Sequence, residues 1–294
     1  MPVEVLQDKV VLCHPKGSTV EVLFYGATIT SWKSGSLQNS IPIERLFLSS
    51  KAALDGSKPV RGGIPIVFPC FGAPTLPEHL KLSQHGFARS EKWSWNQVVF
   101  DNEAIVSIRL ILEPTERIRS VYGRPFHLAY IITLAEYQLS SDLHVTNIST
   151  SPSETLEFQA LLHTYIQAPA NDVLVTPLQN LLYYDKTEIT EEEKATPKTE
   201  HRVEVDVKKF TDSVYEDASQ NYEVTWPGGG MVIKSKNLKD VVVWNPRDGG
   251  RTISDMEEGG WEKYVCVEPG FVRGFVKLEP GKTWIGQQML SVKL

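Results

Sequence analysis

The side chains best suited to proton transfer in this sequence lie on two apolar segments that are far apart in the chain. His163 lies in the middle of LEFQALLHTYIQAP (156–169). Glu268 lies near the end of KYVCVEPG (263–270), just before a proline and a glycine. A histidine and a carboxylate can donate and accept protons near neutral pH. Each residue alone also has a structural explanation, because a single histidine is often a hydrogen-bonded part of a core and a strand-end glutamate often lies in solvent.

Both segments have the alternation of a β-strand. In the first, apolar residues take every second position, and the intervening set is mixed, namely Glu157, Gln159, Leu161, His163, Tyr165 and Gln167. Period-two alternation places the two sets on opposite faces of a sheet. In the second segment, Glu268 shares one face with Tyr264 and Cys266. We therefore expect His163 to point away from the apolar layer and Glu268 to lie at the rim of a pocket.

The glycine- and proline-rich segment PVRGGIPIVFPCFG (59–72) is a candidate anion-binding loop. Glycines and prolines at this density hold a loop rigid and expose backbone N–H groups. Arg61 adds a planar guanidinium that suits a phosphate or a carboxylate. The segment lacks the GK[ST] ending of a nucleotide-binding P-loop. A turn that carries a surface arginine is the structural alternative.

A second polar loop, SQHGFARS (83–90), places Gln84, His85 and Arg89 around a permissive glycine and could line a pocket. A metal site is disfavoured here, because His79 and His85 lack both a ligand spacing and a third ligand nearby. Together, the four segments supply an imidazole, a carboxylate and a pair of arginines. That set suits proton transfer on a small anionic molecule, and we predict that no metal or cofactor is needed.

The composition is that of an ordinary globular protein. The 294 residues are 41% hydrophobic and 22% charged, so neither a disordered nor a coiled-coil class fits. A net charge of −6 argues against general nucleic-acid binding, and no run approaches the roughly 18 apolar residues of a membrane span. The three cysteines are scattered, and the start lacks a signal-peptide pattern. We expect a cytoplasmic monomer that binds a small molecule, and neither nucleic acid nor a membrane.

The elements that must position the candidate side chains are short β-strands. Segments rich in β-branched and aromatic residues recur from end to end, and turns such as PGGG (227–230) and EPGK (279–282) separate them. Strands with few helical patterns between them predict an all-β fold, a large antiparallel sandwich or barrel with few short helices. Because there is no linker or repeat, we interpret residues 1–294 as a single domain.

Two segments carry further local predictions. SDME (254–257) fits the capping box of a helix, which Gly259 and Gly260 would end early. The acidic tract TEITEEEKATPKTEH (187–201) has no apolar period, and we interpret it as a solvated loop between strands.

Six motifs give the sequence a family resemblance. PVRGGIPIVFPCFG, QHGFAR, LLHTY, FTDSVY, VVWNP and CVEPG occur in the order seen in the glucose-6-phosphate 1-epimerases, the hexose-6-phosphate mutarotases of the aldose 1-epimerase superfamily. The similarity runs from about residue 18 to residue 292. It implies a galactose-mutarotase-like β-sandwich. It also implies an enzyme that interconverts the α and β anomers of hexose 6-phosphates, chiefly glucose 6-phosphate, without a cofactor.

The resemblance also implies roles for individual residues. It places the catalytic histidine on His163 and the catalytic glutamate on Glu268. Its substrate contacts fall on five further residues, which are Arg61, Gln84, His85, Arg89 and Asp212. The chain departs from the family pattern at Arg247, which follows WNP (244–246), and this leaves the finer sugar preference open.

The chemistry that the resemblance implies is the opening and reclosure of a pyranose ring. Glu268 would take the proton of the C1 hydroxyl while His163 delivers one to the ring oxygen O5. His163 must be protonated for this, and an acidic neighbour such as Asp212 could favour its protonation. Arg61 and Arg89 would hold the 6-phosphate.

Two alternatives stay open. The first is an aldose 1-epimerase that acts on unphosphorylated sugars. The second is a non-catalytic carbohydrate-binding sandwich, which needs aromatic platforms for its sugar; the candidates are Phe71, Trp244 and Trp261.

Overall fold

The computed structural model describes residues 2–37 and 39–293. The chain begins with a small antiparallel sheet of five consecutive strands. These strands are β1 (Val3–Val5), β2 (Lys9–Cys13), β3 (Thr19–Leu23), β4 (Ile29–Ser34) and β5 (Ile43–Glu44).

The remaining strands build two larger sheets. The middle of the chain forms β6 (Ile66–Val67), β7 (Ser94–Asp101), β8 (Val106–Leu112), β9 (His127–Leu134), β10 (Gln138–Thr146), β11 (Leu156–Leu162) and β12 (Tyr165–Gln167). It continues with β13 (Leu174–Thr176), β14 (Leu182–Asp185), β15 (Lys198–Thr199), β16 (Val205–Asp206) and β17 (Thr211–Tyr215). The C-terminal part forms β18 (Asn221–Trp226), β19 (Gly229–Lys236), β20 (Asp240–Asn245), β21 (Tyr264–Leu278) and β22 (Thr283–Val292).

Helices are short and few in the described part of the chain. The α-helices are α1 (Glu116–Val121) and α2 (Glu191–Ala195). Single 3₁₀ turns or short 3₁₀ segments cover Pro77–His79, Ala88–Ser90, Arg247–Thr252 and Gly260–Glu262. Among the described residues, no helix has the length and apolar character needed to cross a membrane.

The two larger sheets are antiparallel throughout. One has nine strands in the order β16-β13-β18-β19-β22-β10-β9-β8-β7, and the other runs β15-β14-β17-β20-β21-β11-β6, with β12 also paired to β21. The predicted all-β antiparallel architecture is therefore confirmed. Both predicted turns are confirmed as well, since Pro227 and Gly228 connect β18 to β19 and the segment around Gly281 connects β21 to β22.

A single large core lies between the sheets. Residues from all three sheets contribute to one contiguous buried cluster, for example Val20 from β3, Tyr130 from β9 and Phe158 from β11. Alternation produces this layer: in β9, the even-numbered residues from Leu128 to Leu134 are fully buried and belong to the cluster. A fully buried aromatic or aliphatic side chain contributes roughly 1.5–3 kcal/mol, so this layer is the main source of stability.

The eight-stranded sheet is apolar on both faces. In β21, Val265 and Val267 point into the main core, as the alternation predicts. On the other face, Tyr264 and Cys266 join a smaller cluster with Phe47, Trp261 and Met256. This second face carries the polar side chains described below.

Of the two local predictions, the capping box at SDME was wrong, and the acidic tract is a largely exposed connection between strands, as predicted, but contains regular structure that the prediction missed. The acidic tract contains α2, whose Thr190 side chain and Glu193 form a capping box, so local hydrogen bonds replace the missing apolar stripe. SDME (254–257) is turn and bend between two 3₁₀ segments. Its Glu257 side chain accepts from the Ser50 N–H and from Lys263 instead of capping a helix.

Candidate active site

A cleft of about 510 Å³ opens on the second face of the eight-stranded sheet. All seven of the residues that the sequence predicted for catalysis and substrate binding line it, namely Arg61, Gln84, His85, Arg89, His163, Asp212 and Glu268. The other lining residues are Phe71, Gly72, Ala73, Lys186, Glu191, Lys194, Val242 and Trp244. The structure therefore brings these seven side chains together from five separate parts of the sequence.

The pairing of the strands determines which residues lie side by side on the floor of this cleft. Asp212 on β17 lies opposite Trp244 on β20, which lies opposite Cys266 on β21, which in turn lies opposite Tyr165 on β12. These four residues form one row across the sheet. Glu268 lies two positions beyond Cys266 on the same face, because successive side chains of a strand alternate.

His163 lies at the gap between β11 and β12, where the chain remains tied to the 63–65 loop. Its backbone N–H donates to the carbonyl of Pro65, and the N–H of Tyr165 donates to the carbonyl of Gly63. The imidazole stacks on the Tyr165 ring, with centroids 4.7 Å apart and planes at 9°, and meets the edge of Trp244. Aromatic neighbours on two sides therefore fix the orientation of this ring.

His163 and Glu268 are direct neighbours. The Nδ1 atom of His163 lies 3.2 Å from Oε1 of Glu268, and both side chains are nearly excluded from solvent, with 12% and 2% exposed. Among the described residues, this Nδ1 is buried without a hydrogen-bond partner, so the contact with Glu268 is a close approach and not a hydrogen bond. The two groups therefore touch side by side on the floor of the cleft.

Burial raises the pKa values of two carboxylic acids in the cleft, Glu268 and Asp212. It raises the pKa of Glu268 well above its usual range, and the negative charge of Asp212 raises it further. Burial also raises the pKa of Asp212, to about 6. Both acids are consequently easier to protonate than a carboxylic acid in water.

The pKa of His163 shifts in the opposite direction. Burial lowers it well below the usual value, and the neighbouring His85, Arg89 and Arg61 lower it further. The expectation that Asp212 keeps His163 protonated therefore differs from the structure, in which Asp212 acts on Glu268 instead. In the free protein, the imidazole is neutral at neutral pH.

The first polar loop contributes Arg61, which is already partly engaged. Its Nε donates to Oδ1 of Asp255 at 3.0 Å, and its Nη1 donates to the hydroxyl of Tyr165 at 3.1 Å. The guanidinium thereby holds the ring on which His163 stacks. Arg61 therefore connects the loop to the floor of the cleft, and it also adds positive charge there.

The second polar loop turns sharply at His85 and Gly86. Both have left-handed backbone conformations, with φ of 67° and 71°. The N–H of Gly72 donates to Nδ1 of His85 at 3.2 Å, which leaves Nε2 as the protonated nitrogen of the neutral ring. Burial, reinforced by the charges of Arg89 and Arg61, lowers the pKa of His85 to about 3.

The sequence analysis missed two cations in the cleft. Lys186 follows β14, and Lys194 lies on α2, within the tract that was interpreted as a plain solvated loop. The surrounding acidic residues concealed Lys194, and only the fold shows that both lysines line the cleft. Of the suggested aromatic platforms, Phe71 and Trp244 line the cleft, whereas Trp261 is 2% exposed in the small core cluster.

The departure at Arg247 does not reach the cleft lining. Its Nη2 donates to Oδ1 of Asn171 at 2.6 Å, in the loop between β12 and β13.

One group of side chains in the cleft floor has the composition of a metal site. Single ligand atoms of His163, Cys266 and Glu268 lie within 4.8 Å of one another. The sequence analysis considered only the histidines at positions 79 and 85, and Cys266 was grouped with Glu268 solely by strand alternation.

Comparison with known proteins identifies the family of the chain. The aldose 1-epimerase family matches residues 8–291. The chain belongs to this family. A protein from Cenchrus ciliaris named "Putative glucose-6-phosphate 1-epimerase" is 31% identical, over 97% of this chain and 84% of that protein. An Escherichia coli K12 protein of the same name is 25% identical, over 90% of this chain and 83% of its own length.

Solved structures show the same fold. A mutarotase-like protein from Salmonella typhimurium has a TM-score of 0.83 at 22% identity, covering 99% of this chain and 92% of that one. A protein from Synechocystis gives 0.75 at 18% identity, covering 99% and 94%. The predicted family, epimerase class and galactose-mutarotase-like sandwich are confirmed. The roles of the individual cleft residues stay predictions.

Proposed function

We propose that this epimerase interconverts the α and β anomers of hexose 6-phosphates, chiefly glucose 6-phosphate, without a cofactor. The observation that carries the proposal is the contact between His163 and Glu268 at the floor of a cleft with four cationic side chains. The names of the related proteins support the phosphorylated substrate. A small phosphosugar fits a cleft of about 510 Å³.

The chemistry requires one transferable proton on the pair. With His163 protonated and Glu268 ionised, the carboxylate takes the proton of O1–H while the imidazolium gives one to O5, and the C1–O5 bond breaks. The pair is then neutral, with the proton on Glu268 and the lone pair on His163. Rotation about C1–C2 and reclosure by the reverse transfers give the other anomer and restore the starting pair.

The substrate itself would favour the active protonation state. Burial and the charges of Arg89 and Arg61 keep the pKa of His163 low in the free protein. A phosphate dianion bound to these arginines would offset their charge and so favour the imidazolium. Because Nδ1 faces Glu268, Nε2 is the ring nitrogen available to O5.

Four cations support the phosphorylated substrate over a neutral sugar. Arg61, Arg89, Lys186 and Lys194 line the cleft, whereas an unphosphorylated sugar would need only hydroxyl contacts. Charge-assisted hydrogen bonds contribute roughly 1.5–3 kcal/mol each. Phe71 and Trp244 in the cleft would also suit a carbohydrate-binding module, but such a module has no use for a buried imidazole–carboxylate contact.

Polarimetry on freshly dissolved α-glucose 6-phosphate tests the proposal. The wild-type protein should accelerate the decay of optical rotation, and His163→Asn and Glu268→Gln should each lose at least about two decades of kcat, since positioned acid–base groups contribute about 10²–10⁴-fold. His201→Asn and Glu204→Gln are matched controls, because both positions are exposed and outside the cleft. Spontaneous rates with the wild-type protein would exclude catalysis and favour a binding module.

We further propose that the chain acts as a cytoplasmic monomer with one domain. The cysteines at positions 13, 70 and 266 are free thiols, and the last two are buried, which suits a reducing compartment. A single core shared by all three sheets supports one domain. Light scattering on the purified protein checks the oligomeric state, and a dimer mass would contradict it.

A further inference from the structure

Three potential metal ligands lie close together at the floor of the cleft: His163 and Glu268 line the cleft, and Cys266 is fully buried next to them in the small apolar cluster. Nδ1 of His163 lies 3.2 Å from Oε1 of Glu268 and is a buried nitrogen without a hydrogen bond among the described residues. Sγ of Cys266 lies within 4.8 Å of both groups. The proposed proton transfer uses His163 and Glu268 but gives no role to the thiol.

The distances are close to those of a tetrahedral zinc site. Zinc binds nitrogen and oxygen at about 2.0–2.2 Å and sulfur at about 2.3 Å, so tetrahedral ligand atoms lie roughly 3.3–3.6 Å apart. The 3.2 Å contact between His163 and Glu268 nearly matches this spacing. The upper limit of 4.8 Å for the pairs that include Cys266 requires a small side-chain rotation at most. The fourth position would face the open cleft.

The strand geometry holds these ligands in place. Cys266 and Glu268 are alternate residues of β21 and share its cleft face, which is fixed by pairing to β20 and β12. His163 is held from the opposite side by its stack on Tyr165. Ligands on rigid strands give a better-defined site than ligands on loops.

The local charge also suits a divalent cation. A thiolate, a carboxylate and a neutral imidazole together balance the two charges of Zn²⁺. Burial raises the pKa of both Cys266 and Glu268, so the entering cation must displace a proton from each. Two cations of the cleft oppose this charge. Asp255 already neutralises much of the charge of Arg61 through a 3.0 Å contact, and the charge of Arg89 acts on both His163 and Glu268. A mixed nitrogen, sulfur and oxygen set is selective for zinc and similar ions over magnesium or calcium.

We propose that His163, Cys266 and Glu268 form an inhibitory site for one zinc-like divalent cation. The bound cation holds Nδ1 of His163 and the carboxylate of Glu268. The imidazole can then no longer become the imidazolium that donates from Nε2, and the carboxylate can no longer take the O1 proton, so the cation stops proton transfer. The inhibition rests on the proposed function, whereas the binding of the cation does not.

Cadmium titration of the chelator-treated protein tests the site directly. The wild-type protein should develop a thiolate-to-cadmium charge-transfer band that saturates at one ion per chain. Cys266→Ser and Cys266→Ala should both lose the band, while Cys13→Ser, which changes a half-buried thiol far from the cleft floor, should keep it. Circular dichroism confirms that each variant is folded, and two substitutions at position 266 guard against one that fails to fold.

Zinc affinity and inhibition complete the test. Competition with a chromophoric chelator should give a Kd at least about tenfold weaker in the position-266 variants, since even the loss of an outer-shell partner costs roughly 10–100-fold in metal affinity. Zinc should inhibit the wild type and Cys13→Ser, and should leave each position-266 variant at its own zinc-free rate.

The outcomes separate this site from the proposed function. An unchanged cadmium band or unchanged zinc inhibition in the position-266 variants would overturn the metal site while leaving the mutarotase proposal intact. A band that depends on Cys266 in a protein that does not accelerate mutarotation would support the metal site and reject the proposed function.

Discussion

The two arginines of the cleft differ in the hydrogen bonds that their guanidinium groups already make. Arg61 donates from Nε to Asp255 and from Nη1 to Tyr165, so much of its guanidinium serves to hold the ring behind His163. Arg89 donates from Nη2 to the carbonyl of Gln84, and its Nε is buried without a partner among the described residues. Arg89 therefore has more N–H donors left to bind a phosphate. Arg61 is better suited to hold the Tyr165 ring behind His163.

Arg89→Ala should separate phosphorylated from unphosphorylated substrates. We expect kcat/KM for glucose 6-phosphate to fall roughly 10–150-fold, the equivalent of one charge-assisted bond, while the rate with glucose changes little. Arg119→Ala is the matched control, because Arg119 is an exposed cation outside the cleft. Equal use of the two sugars by the wild-type protein would remove the phosphate site.

Glu257 gives a pH-dependent prediction away from the catalytic groups. Burial alone would raise its pKa, but hydrogen bonds from Lys263 and from Ser50 outweigh burial and lower the pKa to about 2. Because the folded pKa lies below the unfolded value, the stabilisation is complete above about pH 4.5 and is lost as the pH falls toward 2.

Glu257→Gln should therefore lower the free energy of unfolding by about 1–2 kcal/mol at pH 7, after allowance for solvent screening, and by much less near pH 3. The neighbouring Glu258→Gln should change it by under about 0.5 kcal/mol, because Glu258 is an exposed ion-pair partner of Arg251. Urea unfolding at both pH values measures these differences. A pH-independent effect of Glu257→Gln would show that packing, not charge, stabilises this segment.

At the scale of elements, the loop from 83 to 90 depends on one glycine. A Cβ at Gly86 would lie 2.1 Å from the carbonyl oxygen of Phe68, and the backbone φ is +71°. This close approach lets the N–H of Phe87 donate to the same oxygen at 3.0 Å. The contact seats His85 and Arg89 in the cleft, so the glycine acts on the site through the backbone.

Gly86→Ala should cost at least about 3 kcal/mol of stability, because the clash with a backbone oxygen adds to the strain of the left-handed conformation. Gly72→Ala isolates the strain of the left-handed conformation. Gly72 has nearly the same φ of +70°, but the space around its Cβ position is open. We expect the control to lose only about 1–2 kcal/mol. Thermal unfolding of both variants measures the difference, and equal losses would mean that crowding at Gly86 is unimportant.

The same elements show how far the sequence could predict the structure. Alternation in β11 and β21 is local, so the faces of His163 and Glu268 could be read directly from the sequence. The contact between these two side chains could not be predicted in this way, because it depends on the pairing of β11 and β12 with β21, which is distant in the sequence. The motif resemblance supplied that connection. Helix α2 was missed because a capping box, not an apolar stripe, defines it.

At the scale of the whole molecule, the last two long strands join the sheets. β21 lies between β20 and β11 in the eight-stranded sheet, and β22 lies between β19 and β10 in the nine-stranded sheet. A short turn connects them, so two consecutive strands of the chain supply an inner strand to each of the two larger sheets. The cleft floor on β21 is thus tied to the core that β22 helps to close.

This arrangement predicts that the protein unfolds in one transition. Calorimetry should give a single peak, because the shared core leaves no sheet able to fold alone. A variant that ends at residue 282 should fail to fold, since removing β22 leaves the backbone groups of β10 and β19 without partners. A variant lacking residues 1–6 is the matched control, because β1 is an edge strand paired only with β2. Two separate calorimetric peaks, or a folded variant that ends at 282, would contradict a single cooperative domain and would place the catalytic floor and the large sheet in independent units.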